Sequence, residues 1–340
     1  MLTRLLSPVR LAAAGAVVLA AAIAVGVTQK SDKFLELPDP AHPLTSLVRV
    51  PGGKPHNDGG GIYYVDVLVK KASLLQASFS FLRPNGADLV KQSSIVEPGI
   101  SYQQQLKLEQ QTMKLSQEKA SIVALRALGL SVHADDAGVR VVDIERDSHA
   151  RGVLKDGDVV VAADGHRIHN ERDLFLLMAH HRIGDVVSLA VERGKQRLTF
   201  RIKTIGDNQN PGRAIIGFIP FEVLHVRLPF HIGFNLQDVG GPSAGLAFAL
   251  EVLEQRGRDV DHGLKLAATG EIQLNGTVTR IGGVKQKTIG ARDAHVDAFL
   301  VPVDGDNAKV AKRYAHGLRI IPVKTFQQAL QALATLRPKA

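Results

Sequence analysis

The chain has 340 residues, 45% of them hydrophobic, which is enough apolar material for two or three packed domains and excludes an intrinsically disordered protein. The formal charge of +9 is thinly spread: no Lys/Arg run exceeds two residues and none is interleaved with aromatics, so nucleic-acid binding is not expected. The absence of cysteine removes disulfides, thiolate metal sites and cysteine nucleophiles.

Residues 11–27 hold only Leu, Ala, Val, Ile and Gly, with Arg4 and Arg10 before them and no acid before Asp32. A run of this length lies near the lower limit for crossing a bilayer. The arginines place the N-terminal tip in the cytoplasm, so residues 1–30 are expected to be a membrane anchor with the bulk of the chain outside the cell. A cleaved signal peptide, with Ala22 and Ala24 near a processing site, is the alternative and would make the protein secreted. Residues 31–120 are expected to form a connector. Its turns are marked by Pro51-Gly52-Gly53 and Gly59-Gly60-Gly61, and it carries one strand over 62–69. From 102 to 128 the spacing predicts a helix, with Leu106, Met113, Leu115, Ala120, Val123, Ala124 and Ala127 as its apolar stripe and Gly129 as its stop.

Residues 121–205 alternate in short strand patterns. Strands are predicted over 139–144, 159–162, 186–191 and 197–202, with Asp164-Gly165 as a hairpin and Asn170 capping a helix to 180. The Gly/Asn/Pro stretch 206–212 marks a boundary. Beyond it, strands are predicted over 214–219, 223–228, 232–236, 264–270, 277–280, 298–301 and 318–322. Helices are predicted over 243–254, 285–294, 307–316 and 325–336. The whole is an α+β multidomain chain whose last part, 206–340, mixes strands and helices.

Two segments in that last part carry chemistry. Ser243, in Gly240-Gly241-Pro242-Ser243-Ala244-Gly245, stands where a loop enters an apolar helix. The glycines allow close backbone approach, and amides at Gly240, Gly241 and Ser243 can face an oxyanion. Forty-four residues on, Ile281-Gly282-Gly283-Val284-Lys285-Gln286-Lys287 offers lysine at a helix start among apolar neighbours. The positive end of a helix and burial both disfavour the ammonium, and a neutral amine can serve as general base to a serine. Neither cofactor nor metal is required, and the adjacent His180 and His181 point in different directions on their helix.

Two resemblances join these readings. The run Ser148-His149-Ala150-Arg151-Gly152-Val153-Leu154 with Gly157-Asp158-Val159-Val160, Asp164-Gly165 and the following helix resembles a PDZ domain of the permuted bacterial kind. That resemblance implies a peptide-binding loop at Leu128-Gly129-Leu130, whose amides would hold the terminal carboxylate of a substrate tail added as a strand. The Ser243 and Lys287 segments, with Thr269-Gly270-Glu271 between them, resemble the proteolytic domain of Lon proteases. This implies a Lon-type α/β proteolytic domain with Ser243 as nucleophile, Lys287 rather than Lys285 as base, and Thr269 orienting the lysine. Lon usually has Asp where this chain has Gly240; Asp238 lies close by. The chain as a whole resembles the membrane-anchored Lon-like proteases that carry a PDZ domain. No G-x-x-x-x-G-K-[ST] loop occurs, so the resemblance implies an ATP-independent serine endopeptidase of unfolded or flexible proteins. It also implies a homo-oligomer, a hexamer on the Lon pattern. The rival is a PDZ peptide-binding adaptor on an inactive Lon-like scaffold.

Overall fold

The computed structural model describes residues 8–54, 59–208, 210–236 and 239–337. Helix α1 (Pro8–Thr28) leads into strands β1 (Lys30–Pro38), β2 (His42–Pro43), β3 (Val48–Arg49), β4 (Gly61–Tyr64) and β5 (Val67–Ser73). Helix α2 (Leu74–Ser78), β6 (Asp88–Lys91) and the long α3 (Tyr102–Ala127) follow. Next come β7 (His133–Ile144), β8 (Val159–Ala163), β9 (His166–Arg167), α4 (Glu171–Met178), β10 (Val186–Arg193), β11 (Gln196–Lys203), β12 (Ile205–Gly206) and β13 (Ala214–Ile215). The remainder is β14 (Phe218–Arg227), β15 (Gly233–Phe234), α5 (Gly245–Gln255), β16 (Lys265–Ala268), β17 (Glu271–Ile272) and β18 (Val278–Thr279). It closes with α6 (Val284–Asp293), β19 (Ala298–Pro302), α7 (Asn307–Tyr314), β20 (Arg319–Val323) and α8 (Phe326–Leu333).

α1 is long and apolar enough to cross a membrane, with a mean hydropathy of 2.3 over Leu11–Thr28, and that stretch is almost wholly exposed. A signal sequence has the same character.

The C-terminal half is built on a sheet ordered β2-β4-β16-β19-β20, in which β4, β16, β19 and β20 run parallel. Helices cover both faces, as a parallel sheet requires. Leu266, Ala268 and Leu300 point into the core shared with α3, α5 and α8. Ala267, Phe299 and Val301 point into a second core with α6 and α7. Helix α5 is buried along its whole length, packed between the sheet and α3. Its first six residues, Gly245 to Leu250, are accordingly apolar on every face, and Glu251, Glu254 and Gln255 beyond them are buried as well.

Segments from the stretch 31–120 enter this body directly. β4 lies parallel to β16, β3 pairs with β15, and the loop after β1 packs on α6 so closely that a Cβ at Gly290 would fall 1.8 Å from the Asp39 carbonyl. The single strand expected over 62–69 is broken at Val65-Asp66. β4 joins the parallel sheet, whereas β5 joins an antiparallel sheet ordered β5-β1-β6. α3 starts at a capping box between Ser101 and Gln104. Of its expected stripe, Leu106 remains exposed.

The PDZ-like sheet is ordered β11-β10-β8-β7-β14, with its own core of Val139, Val141, Leu154, Val160, Leu189 and Ile202 among others. The two strands expected over 214–219 and 223–228 are largely one. β14 pairs antiparallel with the whole of β7 from Phe218↔Ile144 to Arg227↔His133, with irregularities beside Pro220 and at Glu222. Proline is tolerated there because β14 is an edge strand. β14 also ties the two halves together: Phe218 belongs to the core of the PDZ-like sheet, whereas Phe221 and Leu224 belong to the core under the parallel sheet. Around Asn275-Gly276 the hairpin is formed by β17 and β18, not by β16, which continues into the parallel sheet.

Candidate active site

Ser243 and Lys287 meet. The Lys287 Nζ donates to Ser243 Oγ at 2.6 Å. The serine sits just ahead of α5, whose N-cap is Ala244 and takes no side-chain hydrogen bond, so the hydroxyl is not used for capping. Its carbonyl is fixed by the Gly270 amide at 2.8 Å and by the Thr269 hydroxyl at 3.1 Å. Thr269 is fully buried, with its hydroxyl held on the serine carbonyl.

Lys287 stands in the first turn of α6 and is 4% exposed. Burial lowers its pKa to about 8, an effect that the charges of Asp66 and Glu109 partly oppose. Gly283 starts the helix in the left-handed region at φ 65°, and a Cβ there would lie 2.4 Å from Val67, so only glycine lets the lysine-bearing turn lie this close to β5. Lys285 lies on another face of α6. It pairs with Asp88 Oδ1 at 2.6 Å, away from Ser243.

Two acids beside the lysine were not singled out from sequence. Asp66 lies at the break between β4 and β5, and its carboxyl is raised by burial and by Asp39, to which it is hydrogen-bonded. Asp39 in turn meets His42 Nε2 at 2.8 Å. Glu109 comes from α3. A Cβ at Gly240 would lie 2.9 Å from its Cβ and 3.0 Å from its Oε2, so Glu109 fills the space that the usual Lon aspartate side chain would enter. A periodicity argument treats Glu109 as solvated helix surface, and only packing shows otherwise. Asp238, the other acid considered, lies outside the described residues.

Of the expected oxyanion donors, the Gly241 amide donates to the Glu109 carbonyl at 3.0 Å. Gly241 has φ 83° with open space where a Cβ would be. Ser243, Lys287, Gly240 and Gly241 line a cavity of about 910 Å³ together with Asp66, Glu109 and Leu106. Asp39, His42 and Asp66 bring ligand-type atoms within 4.8 Å of one another, as do Glu254, Asp259 and Asp261.

The Leu128-Gly129-Leu130 segment caps α3. The Leu128, Gly129 and Leu130 amides donate to the Ala124, Arg126 and Leu125 carbonyls. This Schellman-type arrangement leaves those amides committed to the helix end. The strand that follows, β7, is already paired with β14, so a peptide cannot add there. The groove beside α4 is bordered by β14 and lined also by Ile215, Ile216 and Gly217.

With this geometry in place, the comparisons are specific. Residues 126–204 match the PDZ domain family, and residues 222–335 match the Lon protease (S16) C-terminal proteolytic domain. The chain carries a PDZ domain and a Lon-type proteolytic domain. Among similar proteins, the Lon protease of Clostridium beijerinckii is 37% identical over 128 residues, 33% of this chain and 16% of that protein. Lon protease 2 of Bacillus subtilis is 33% identical over 116 residues, 34% of this chain and 19% of that protein. The chain thus spans less than a fifth of the length of these relatives. The crystal structure of the PDZ domain of an SdrC-like protein from Listeria monocytogenes aligns at 25% identity and a TM-score of 0.23, covering 25% of this chain and 87% of that one. The Lon-type match begins at residue 222, yet β4 and the Glu109-bearing α3 lie before the PDZ domain. Along the chain the PDZ domain therefore stands between segments that share one core.

Proposed function

We propose that this Lon-like protein is an ATP-independent serine endopeptidase working through a Ser243–Lys287 dyad. The observation that carries the proposal is the 2.6 Å contact between Ser243 Oγ and a buried lysine amine whose pKa is lowered to about 8. A substantial neutral fraction of Lys287 at neutral to mildly alkaline pH accepts the Ser243 proton as Oγ bonds to the peptide carbonyl carbon. The oxyanion so formed is met by backbone amides of the 240–243 loop once Gly241 turns from Glu109. The tetrahedral centre then collapses, the C–N bond breaks, and the Lys287 ammonium returns its proton to the departing amine. Water, deprotonated by the same amine, releases the acyl group from Ser243. The apolar run 11–27 of α1, preceded by Arg4 and Arg10, would hold the enzyme to the membrane with its bulk outside the cytoplasm. Substrates would be polypeptides that reach the cavity already extended.

The test uses the full chain in detergent. A serine-directed phosphonate should label Ser243, and casein should be cleaved. Ser243→Ala and Lys287→Ala should each lower cleavage by at least about 1000-fold. Equal cleavage in all three proteins would sink the proposal.

A further inference from the structure

A second cavity of about 550 Å³ lies between α4 of the PDZ domain, the edge strand β14 and the α3 segment of the catalytic body. Its apolar lining includes Ile100, Leu108, Leu174, Phe175 and Met178, and the Phe175 ring is 54% exposed. Four carboxylates border it, Glu97, Glu145, Glu171 and Asp207, against a single cation, Arg213. That cation is already committed: it pairs with Asp207 at 2.8 Å and stacks over the Phe175 ring at 5.3 Å. Glu145 and Glu171 are both raised, by burial first and then by neighbouring acids. Each stands near further carboxylates, Glu145 near Asp207 and Glu171 near Glu97, a setting that a cationic side chain would relieve. Glu97 and Pro98 line this groove and the active-site cavity alike, so the two spaces adjoin. The second space is acidic too, with Glu36, Asp39, Asp66 and Glu109 in its walls.

We infer that the groove between α4 and β14 is a docking site for an extended internal polypeptide segment rich in basic and apolar residues, held beside Glu97–Pro98 so that the adjoining stretch enters the Ser243 cavity. The occupant is fixed by charge complementarity. An acidic path through a chain of net charge +9 is a local feature, and the protein as a whole repels a cationic peptide. A free C-terminal carboxylate is disfavoured because the one guanidinium in the groove is paired with Asp207. Phe175 already carries a guanidinium on its face, the contact that an incoming arginine or lysine would reproduce. The cutting of the docked segment rests on the peptidase proposal; its docking does not.

Binding is therefore read on the full chain carrying Ser243→Ala, in detergent at low salt, by fluorescence anisotropy. The probe is a labelled unstructured dodecamer alternating Lys and Leu with an amidated C-terminus. Its controls are the same peptide with a free carboxylate and one with Glu in place of Lys. The amidated Lys/Leu peptide should bind at least tenfold more tightly than the Glu/Leu peptide, and freeing its carboxylate should not improve binding. Glu97→Lys combined with Glu145→Lys should reverse the ranking. Phe175→Ser, at an exposed position that leaves the core untouched, should weaken the Lys/Leu peptide by at least fivefold. Equal binding of the Glu/Leu peptide, a requirement for the free carboxylate, or an unchanged ranking in the charge-reversed chain would overturn the inference. If the peptide ranking holds and the phosphonate fails to label Ser243, the peptidase proposal falls and the docking site stands.

Discussion

On the proposed mechanism, Lys287 sets the pH behaviour of the site. Its folded pKa of about 8 lies below the ordinary lysine value of 10.5. The rate of Ser243 labelling by a neutral serine reagent should therefore rise with pH and level off above about pH 8; a flat profile from pH 6 to 10 would remove Lys287 as the base. The stability sign follows from proton counts. Between about 8 and 10.5 the unfolded chain holds a proton on this lysine that the folded chain has shed, so stability rises with pH in that window. Below it, the fold retains a buried ammonium at full penalty. Lys287→Met should consequently stabilise the protein at pH 7, by about 1–3 kcal/mol, while abolishing labelling, and the gain should vanish above pH 10.5 in denaturant titrations. Glu109 raises the lysine pKa, so Glu109→Gln should move the labelling inflection to lower pH. The serine and the lysine were legible in the sequence because each sits in a short motif. Glu109 and Asp66 were not, because α3 and the β4–β5 break come near Lys287 only after folding.

At the scale of elements, the docking of α6 decides where the lysine sits. Gly283 and Gly290 let its two ends approach β5 and the loop after β1 at backbone distance. Gly290→Ala would drive a methyl into the Asp39 carbonyl, and Gly283→Ala would add a left-handed alanine against Val67. Each should lower stability by about 2–3 kcal/mol and slow Ser243 labelling, as measured by thermal unfolding beside the phosphonate reaction. Helix positions such as α3, α4 and α6 were close to their sequence expectations because caps and periodicity are local signals. The split of residues 62–69 between two sheets was not foreseeable, because Ile62 through Val69 have strand propensity throughout and nothing local marks Asp66 as a corner.

For the whole molecule, β14 is the joint between two cores. Phe221 packs in the catalytic core, and the same strand supplies the edge of the PDZ sheet. Phe221→Ala should cost about 3 kcal/mol and also raise hydrogen exchange at the β7 amides of Val139 and Val141, which lie in the other core. Exchange confined to the catalytic half would show that the two cores are not coupled through this strand.

Apolar α1, the PDZ pattern and the Ser243 and Lys287 segments follow from order along the chain, since membrane-length hydropathy, turn glycines and helix starts are properties of contiguous residues. Two matters depended on packing. One is the fate of the loop expected to bind peptide: the amides of 128–130 are consumed by the end of α3, and β14, nearly a hundred residues later, takes the edge of β7. The other is the electrostatic setting of Lys287, made by Asp66 and Glu109 from segments remote in sequence. Both arise from close approach between distant parts of the chain, which no local pattern encodes.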